Sequence, residues 1–115
     1  MQAIIEYDPV VTKLLEKSQL GRLNWEKSPL GGFFCEIEGE YTFESKRTED
    51  GYELTMRDSA GDEILSITGE QAIVYDHPKK EELFNMLRDL YELARKTALS
   101  IDEKIATAAG LLDRI

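Results

Sequence analysis

Four short segments between residues 33 and 68 alternate apolar and polar side chains, and glycine-containing turns separate them. An alternation with a period of two is typical of a strand with one buried face. Short turns that contain glycine join antiparallel neighbours. The pattern therefore predicts an antiparallel meander with strands over residues 33–38, 41–46, 52–57 and 63–68. Residues 22–26 alternate in the same way and predict a short first strand before Ser28 and Pro29.

Cross-strand partners must face the same side of a sheet, so the alternation also predicts the registers. If Ile37 opposes Tyr41, the turn is 38–40, and if Met56 opposes Leu65, the turn is 60–61. One face then collects the apolar set Phe33, Cys35, Ile37, Tyr41, Phe43, Tyr52, Leu54, Met56, Leu65 and Ile67. The other face is predicted to be solvated and collects Glu36, Thr42, Glu44, Lys46, Glu53, Thr55, Arg57, Ile64 and Ser66.

The N-terminal segment predicts a helix that begins at Asp8 and Pro9. Aspartate caps free amide groups, and proline needs no amide donor in a first helical turn. Apolar residues recur at helical spacing as far as Ser18, and Gly21 is a typical stop. Residues 3–5 fit either a short edge strand or an unstructured terminus.

The last third of the sequence predicts two helices. Asp76 or His77 caps the first, with Pro78 in its first turn, and its apolar stripe is Leu83, Leu87, Leu90 and Ala94. Residues 100–103 form a capping-box pattern that begins the second helix. Its apolar positions are Ile105, Ala108, Leu112 and Ile115. We expect this final helix to pack in the core, and the alternative is an interface with a partner or a second copy.

These elements predict one α+β domain over residues 1–115. It consists of an N-terminal helix, an antiparallel meander of four to five strands, and two C-terminal helices packed on one sheet face. The same order of elements serves many unrelated functions, so the fold alone does not identify one.

The charge of the chain is distributed unevenly, and this restricts its partners. Residues 31–75 hold eleven acids and three bases, a net charge of −8 out of −9 for the whole chain. Phosphate backbones and anionic membranes attract clustered Lys and Arg, so we expect neither direct nucleic-acid binding nor membrane binding. A basic protein surface is the expected partner. The single cysteine and the lack of a signal-like or spanning apolar segment predict a cytoplasmic protein.

The sequence offers weak candidates for chemistry. Cys35 and His77 are the only thiol and imidazole, but Cys35 alternates with apolar residues and is expected to be an inert core side chain. The acids at 58, 62 and 63 lack the ligand spacing of a calcium loop, and the glycines at 31–32 precede a strand instead of a helix. We therefore expect no catalytic site, cofactor or metal, and a protein that is not an enzyme.

The leading hypothesis is a small protein-interaction module, such as an adaptor, an inhibitor or an immunity-type factor. It would dock on another protein, or form a homodimer, through the predicted partner-binding residues Glu36, Glu44, Glu53, Ile105, Leu112 and Ile115. The alternative is a small-ligand-binding domain with a pocket between sheet and helix. That pocket would be lined by Trp25, Phe33, Tyr41, Phe43, Tyr52 and Tyr91.

Overall fold

A computed structural model describes residues 3–29, 31–49, 51–68 and 80–115. Helix α1 spans Ala3–Gln19. Five strands follow, namely β1 (Glu26–Lys27), β2 (Phe33–Ile37), β3 (Tyr41–Thr48), β4 (Gly51–Asp58) and β5 (Glu63–Thr68). Helix α2 spans Lys80–Ala98 and helix α3 spans Ile101–Leu112. The α+β class and the order of elements are confirmed.

The N-terminal boundary of α1 was predicted wrongly. The helix begins at Ala3, so residues 3–5 are neither strand nor unstructured, and Pro9 lies inside the helix. A proline inside a helix removes one amide hydrogen bond and its ring crowds the carbonyl four residues earlier, so an internal proline is unfavourable, and the sequence pattern alone placed Pro9 at the helix start instead. The stop at Gly21 is confirmed, because Gly21 has φ +70° and its amide donates to the carbonyl of Ser18.

The sheet is an antiparallel meander in the order β1-β2-β3-β4-β5. The predicted pairs Ile37 with Tyr41 and Met56 with Leu65 are present. The first strand is shorter than predicted, because only Glu26 and Lys27 pair with β2.

The turn between β4 and β5 differs from the predicted two-residue turn. The register shifts by one residue at Met56 and Arg57, so that Arg57 opposes Glu63. The Asp58 carboxylate accepts hydrogen bonds at 3.0 Å from the amides of Ala60 and Asp62. These bonds organise a wider turn, and a bulge absorbs the extra residue.

The core lies between one sheet face and the two long helices. Its buried residues are Val11, Leu14, Trp25, Phe33, Cys35, Phe43, Leu54, Leu65, Ile67, Leu83, Leu87, Leu90 and Ala94. The predicted stripe of α2 is therefore confirmed in full. Helix α2 packs on α1 and on the strands, whereas the principal contact of α3 is with α2. The two C-terminal helices thus pack on the sheet, α2 directly and α3 through α2.

The ends of α2 carry the charges that favour a helix. Glu81 and Glu82 lie in its first turn, and Arg95 and Lys96 lie in its last turn. Acids near the N-terminus and bases near the C-terminus are stabilised by the helix dipole. The predicted cap at Asp76, His77 and Pro78 lies outside the described residues.

Candidate interaction surfaces

Glu44 lies on the outer sheet face, yet the structure buries it. Only 7% of the residue is exposed. Its Oε2 atom accepts a hydrogen bond of 2.7 Å from the Ser28 hydroxyl, and its Oε1 atom lies 3.4 Å from Nη1 of Arg57. Thr55, the cross-strand partner of Glu44, is buried beside it. The prediction that Glu44 is solvated is therefore wrong.

The reason is the segment after β1, which brings Ser28 to the outer face. Strand alternation predicts which face a side chain leaves from, but not whether another segment covers that face. A buried carboxylate needs partners, and Ser28 and Arg57 provide them. Glu44 on β3 therefore links Ser28, in the segment after β1, to Arg57 on β4, and its carboxylate is not open to a partner protein.

The other two predicted carboxylates of this face differ from each other. Glu36 is exposed, as expected of a docking residue. Glu53 is half-buried, its Oε2 atom lies 3.4 Å from the Ser66 hydroxyl, and it opposes Lys46 across the strands. The structure thus leaves Glu36 as the one freely solvated member of this predicted set.

The predicted aromatic pocket residues are packed against one another or separated. The ring centroids of Phe33 and Tyr91 lie 5.5 Å apart, and those of Tyr52 and Tyr91 lie 5.4 Å apart. Trp25 is buried, and its indole N–H donates a 2.9 Å hydrogen bond to Ser18. Phe43 is buried in the same core, whereas Tyr41 is 39% exposed at the start of β3. Rings at these separations stabilise each other as core neighbours.

Cys35 is buried on the core face, as predicted. Burial raises the pKa of its thiol from 9.0 to about 12. The thiolate is the nucleophilic form of cysteine, so this environment opposes reactivity. His77, the proposed partner of Cys35, lies outside the described residues.

Helix α3 provides the largest contrast with the predictions. It buries none of its residues, so the prediction that it packs in the core is wrong. Ile105 is 62% exposed, Leu112 is 68% exposed and Ile115 is fully exposed. Leu111, which the sequence reasoning did not single out, is also exposed. Ile105 and Leu112 are seven residues apart, so they lie on one side of α3 and define its apolar face, whereas Leu111 leaves the helix about 100° from Leu112 and Ile115 lies just beyond the helix end.

The geometry at Ser100 explains why α3 stands apart from the core. Ser100 has φ 51° and ψ 46°, a left-handed conformation, and its side chain makes no capping hydrogen bond. The predicted helix boundary is confirmed, but the capping-box hydrogen bond is absent. A left-handed residue between two helices redirects the chain, so α3 does not continue along the buried stripe of α2. An exposed ion pair of 3.2 Å between Lys96 and Asp102 spans this turn.

A surface groove of about 480 Å³ opens beside this turn. It is lined by Gln19, Asp89, Glu92, Leu93, Arg95, Lys96 and Ile101. Ile101, the first residue of α3, forms one wall, and Leu93 of α2 contributes further apolar surface. The groove therefore adjoins the start of the apolar face of α3.

Comparisons with family models, with curated proteins and with solved structures give no match, so no relative indicates what the chain binds. Among the described residues, no group of three His, Cys, Asp or Glu side chains could hold a metal ion. Within that same part of the chain, no helix has the length and apolarity needed to cross a bilayer.

Proposed function

We propose that this protein is a protein-interaction module that docks through the apolar face of α3. The observation that carries the proposal is the exposure of Ile105 and Leu112 on one side of a helix that buries none of its residues, with Leu111 exposed beside them and Ile115 exposed just beyond the helix end. Single exposed apolar residues are ordinary, but a contiguous apolar stripe on one element is typical of an interaction site. An amphipathic helix that meets an apolar groove or another helix is a common mode of recognition.

The distribution of charge supports α3 over the sheet as the docking surface. Residues 101–115 hold three acids and two bases, a net charge of −1, whereas the chain as a whole carries −9. Interface cores are depleted of charged residues. On the outer sheet face, Glu44 and Glu53 already have hydrogen-bond partners within the protein. The acidic block therefore steers association and maintains solubility, and α3 supplies the contact area.

Site-specific photo-crosslinking in cells of the native host tests this function. A photoreactive residue at Ile105 or Leu112 should give covalent adducts with a protein. The same residue at Ala106 is the matched control, because its side chain leaves the helix about 100° further round. A photoreactive residue at Glu36 tests whether the sheet face contacts a partner. Adducts from Glu36 with none from Ile105 or Leu112 would move the interface to the sheet and refute the proposal.

A substitution gives an independent reading. Ile105→Glu should abolish the adduct formed at Leu112, because it places a charge inside the contact. The variant should fold normally, because Ile105 is exposed. The buried Trp25 provides an internal check, since its fluorescence emission should stay unchanged. Ala106→Glu, which adds the same charge to the same helix, should leave the adduct in place.

A further inference from the structure

The apolar stripe of α2 repeats on α3 in the same rotational phase. Its residues Leu83, Leu87, Leu90 and Ala94 recur 18 residues later as Ile101, Ile105, Ala108 and Leu112. An α-helix turns once in 3.6 residues, so 18 residues are five complete turns. In one uninterrupted helix the two stripes would therefore lie on the same face. The sequence of this region has the pattern of a single helix, although the structure divides it into two.

The division between α2 and α3 occurs without a helix-breaking residue. Residues 80–109 contain neither proline nor glycine, the residues at which sharp kinks commonly occur. The end of α1 offers a contrast, because the left-handed residue there is Gly21, which adopts φ +70° without steric cost. At the end of α2 the left-handed residue is Ser100, with φ 51°. This conformation is disfavoured roughly five- to thirtyfold for an L-residue, so the bend opposes the preference of its own hinge residue.

The described contacts that hold the bend are few and exposed. Ser100 is exposed, and its side chain makes no capping hydrogen bond. The ion pair between Lys96 and Asp102 spans the turn, but exposed ion pairs favour a conformation by at most about fivefold. Ile101 is half-buried where it lines the groove with Leu93. A non-glycine residue stays left-handed only where its surroundings hold it there, so this bend is weakly held.

We propose that Ser100 is a hinge. The protein exchanges between the bent state of the structure and a straight state, in which Ser100 is right-handed and one helix runs from Lys80 to Leu112. The ion pair and the partial burial of Ile101 stabilise the bent state. Relief of the left-handed conformation and the hydrogen bonds of a continuous helix stabilise the straight state. Opposing contributions of similar size at one residue that absorbs the backbone change are typical of a hinge.

The hinge gives docking on α3 a conformational consequence. In the bent state Ile101 and Leu93 line the same groove. They are eight residues apart, so in a straight helix they would be separated by about 12 Å along the axis, and Ile101 would become open beside Ile105. A ligand shifts an equilibrium only through contacts that differ between the two states. A partner that contacts Ile101 as well as Ile105 therefore stabilises the straight state. This consequence rests on the docking role of α3 proposed above, whereas the hinge itself does not.

The distance between two spin labels measures the state of the hinge in the free protein. Labels at Asn85→Cys and Thr107→Cys, in a Cys35→Ala background, lie at exposed positions on α2 and α3. In a straight helix the Cα atoms of these two residues would lie about 33 Å apart, and a bend at Ser100 changes this distance. Double electron–electron resonance should give two distances, the minor one being that of the straight helix. A single distance overturns the exchange.

Two substitutions of Ser100 should shift the equilibrium in opposite directions. Ser100→Gly removes the cost of the left-handed conformation and weakens a continuous helix, whereas Ser100→Ala does the reverse. The ratio of straight to bent protein should be at least about tenfold higher in Ser100→Ala than in Ser100→Gly. Ala106→Gly is the matched control, because residue 106 is helical in both states and the same exchange there should leave the ratio unchanged. Equal ratios in the two Ser100 variants overturn the hinge.

Removal of the ion pair tests what holds the bend. Asp102→Asn should raise the ratio of straight to bent protein by up to about fivefold. Glu103→Gln is the matched control, because it neutralises the neighbouring acid in the same helical turn and keeps Lys96 paired with Asp102. A shift from Glu103→Gln as large as that from Asp102→Asn contradicts the role of this ion pair.

The hinge and the docking role fail separately. A single distance in the free protein refutes the hinge, even if Ile105 cross-links to another protein. Two distances without an adduct from Ile105 or Leu112 support the hinge and refute the docking role of α3.

Discussion

Replacing Leu87 by alanine tests whether the stripe of α2 holds the domain together. Leu87 is 2% exposed and belongs to the core cluster between sheet and helices. The change removes three carbon atoms, and at about 0.8 kcal/mol for each buried carbon the lost burial is about 2.4 kcal/mol. An unrelaxed cavity of roughly 60 Å³ would add about 1.4 kcal/mol at 24 cal/mol per Å³. The expected loss in free energy of unfolding is therefore about 2.4 to 4 kcal/mol.

Urea denaturation measures this loss with a probe that the chain provides. Trp25 is the single tryptophan and is buried, so its emission should report on unfolding of the core. A domain of this size has a total stability on the order of 10 kcal/mol, so the variant should still fold. The matched control is Leu20→Ala at a residue that is 59% exposed, where a change within about 0.5 kcal/mol is expected.

All variants should be compared at one protein concentration, since a dimer would make the apparent stability depend on concentration. A loss below about 1 kcal/mol for Leu87→Ala, or a loss equal to that of Leu20→Ala, would show that the α2 stripe is not the centre of the core.

Three further predictions follow from individual sites. Gly32→Ala should destabilise by at least about 1 kcal/mol more than Gly39→Ala in urea denaturation, because both have positive φ but a Cβ at Gly32 would lie 2.5 Å from a carbonyl oxygen of β3; equal losses would contradict the close approach. Ser18→Ala should lower the free energy of unfolding by about 1 to 3 kcal/mol in the same assay and shift the Trp25 emission, because it leaves the buried indole N–H without its acceptor. An unchanged urea midpoint would argue against this hydrogen bond. Because burial raises the pKa of Cys35 to about 12, the stability that the neutral thiol contributes is fully present below pH 9 and is lost as pH rises toward 12. Between pH 8 and pH 10, the free energy of unfolding of the wild type should fall by about 1.4 kcal/mol more than that of Cys35→Ala. Equal falls in the two proteins would show that the thiol titrates normally.

The sequence by itself determined the meander and the buried stripe of α2. Strand alternation has a period of two and helical stripes a period near 3.6, so local spacing specifies which residues share a face. The pairs Ile37 with Tyr41 and Met56 with Leu65 follow from this rule and from short turns. The width of the turn beside Asp58 could not be predicted in this way, because it depends on side-chain hydrogen bonds that residue spacing does not reveal.

Only the tertiary structure decided which faces are covered. Glu44 has the spacing of a solvated residue but is buried, because Ser28 and Arg57 are brought to it from other strands and loops. Ile105 and Leu112 have the spacing of core residues but are exposed, because the left-handed Ser100 directs α3 away from the core. Burial is a property of what lies opposite a side chain, and non-local contacts decide that. The same physical reason leaves Ile105 and Leu112 exposed on α3, where none of the described helices and strands covers them.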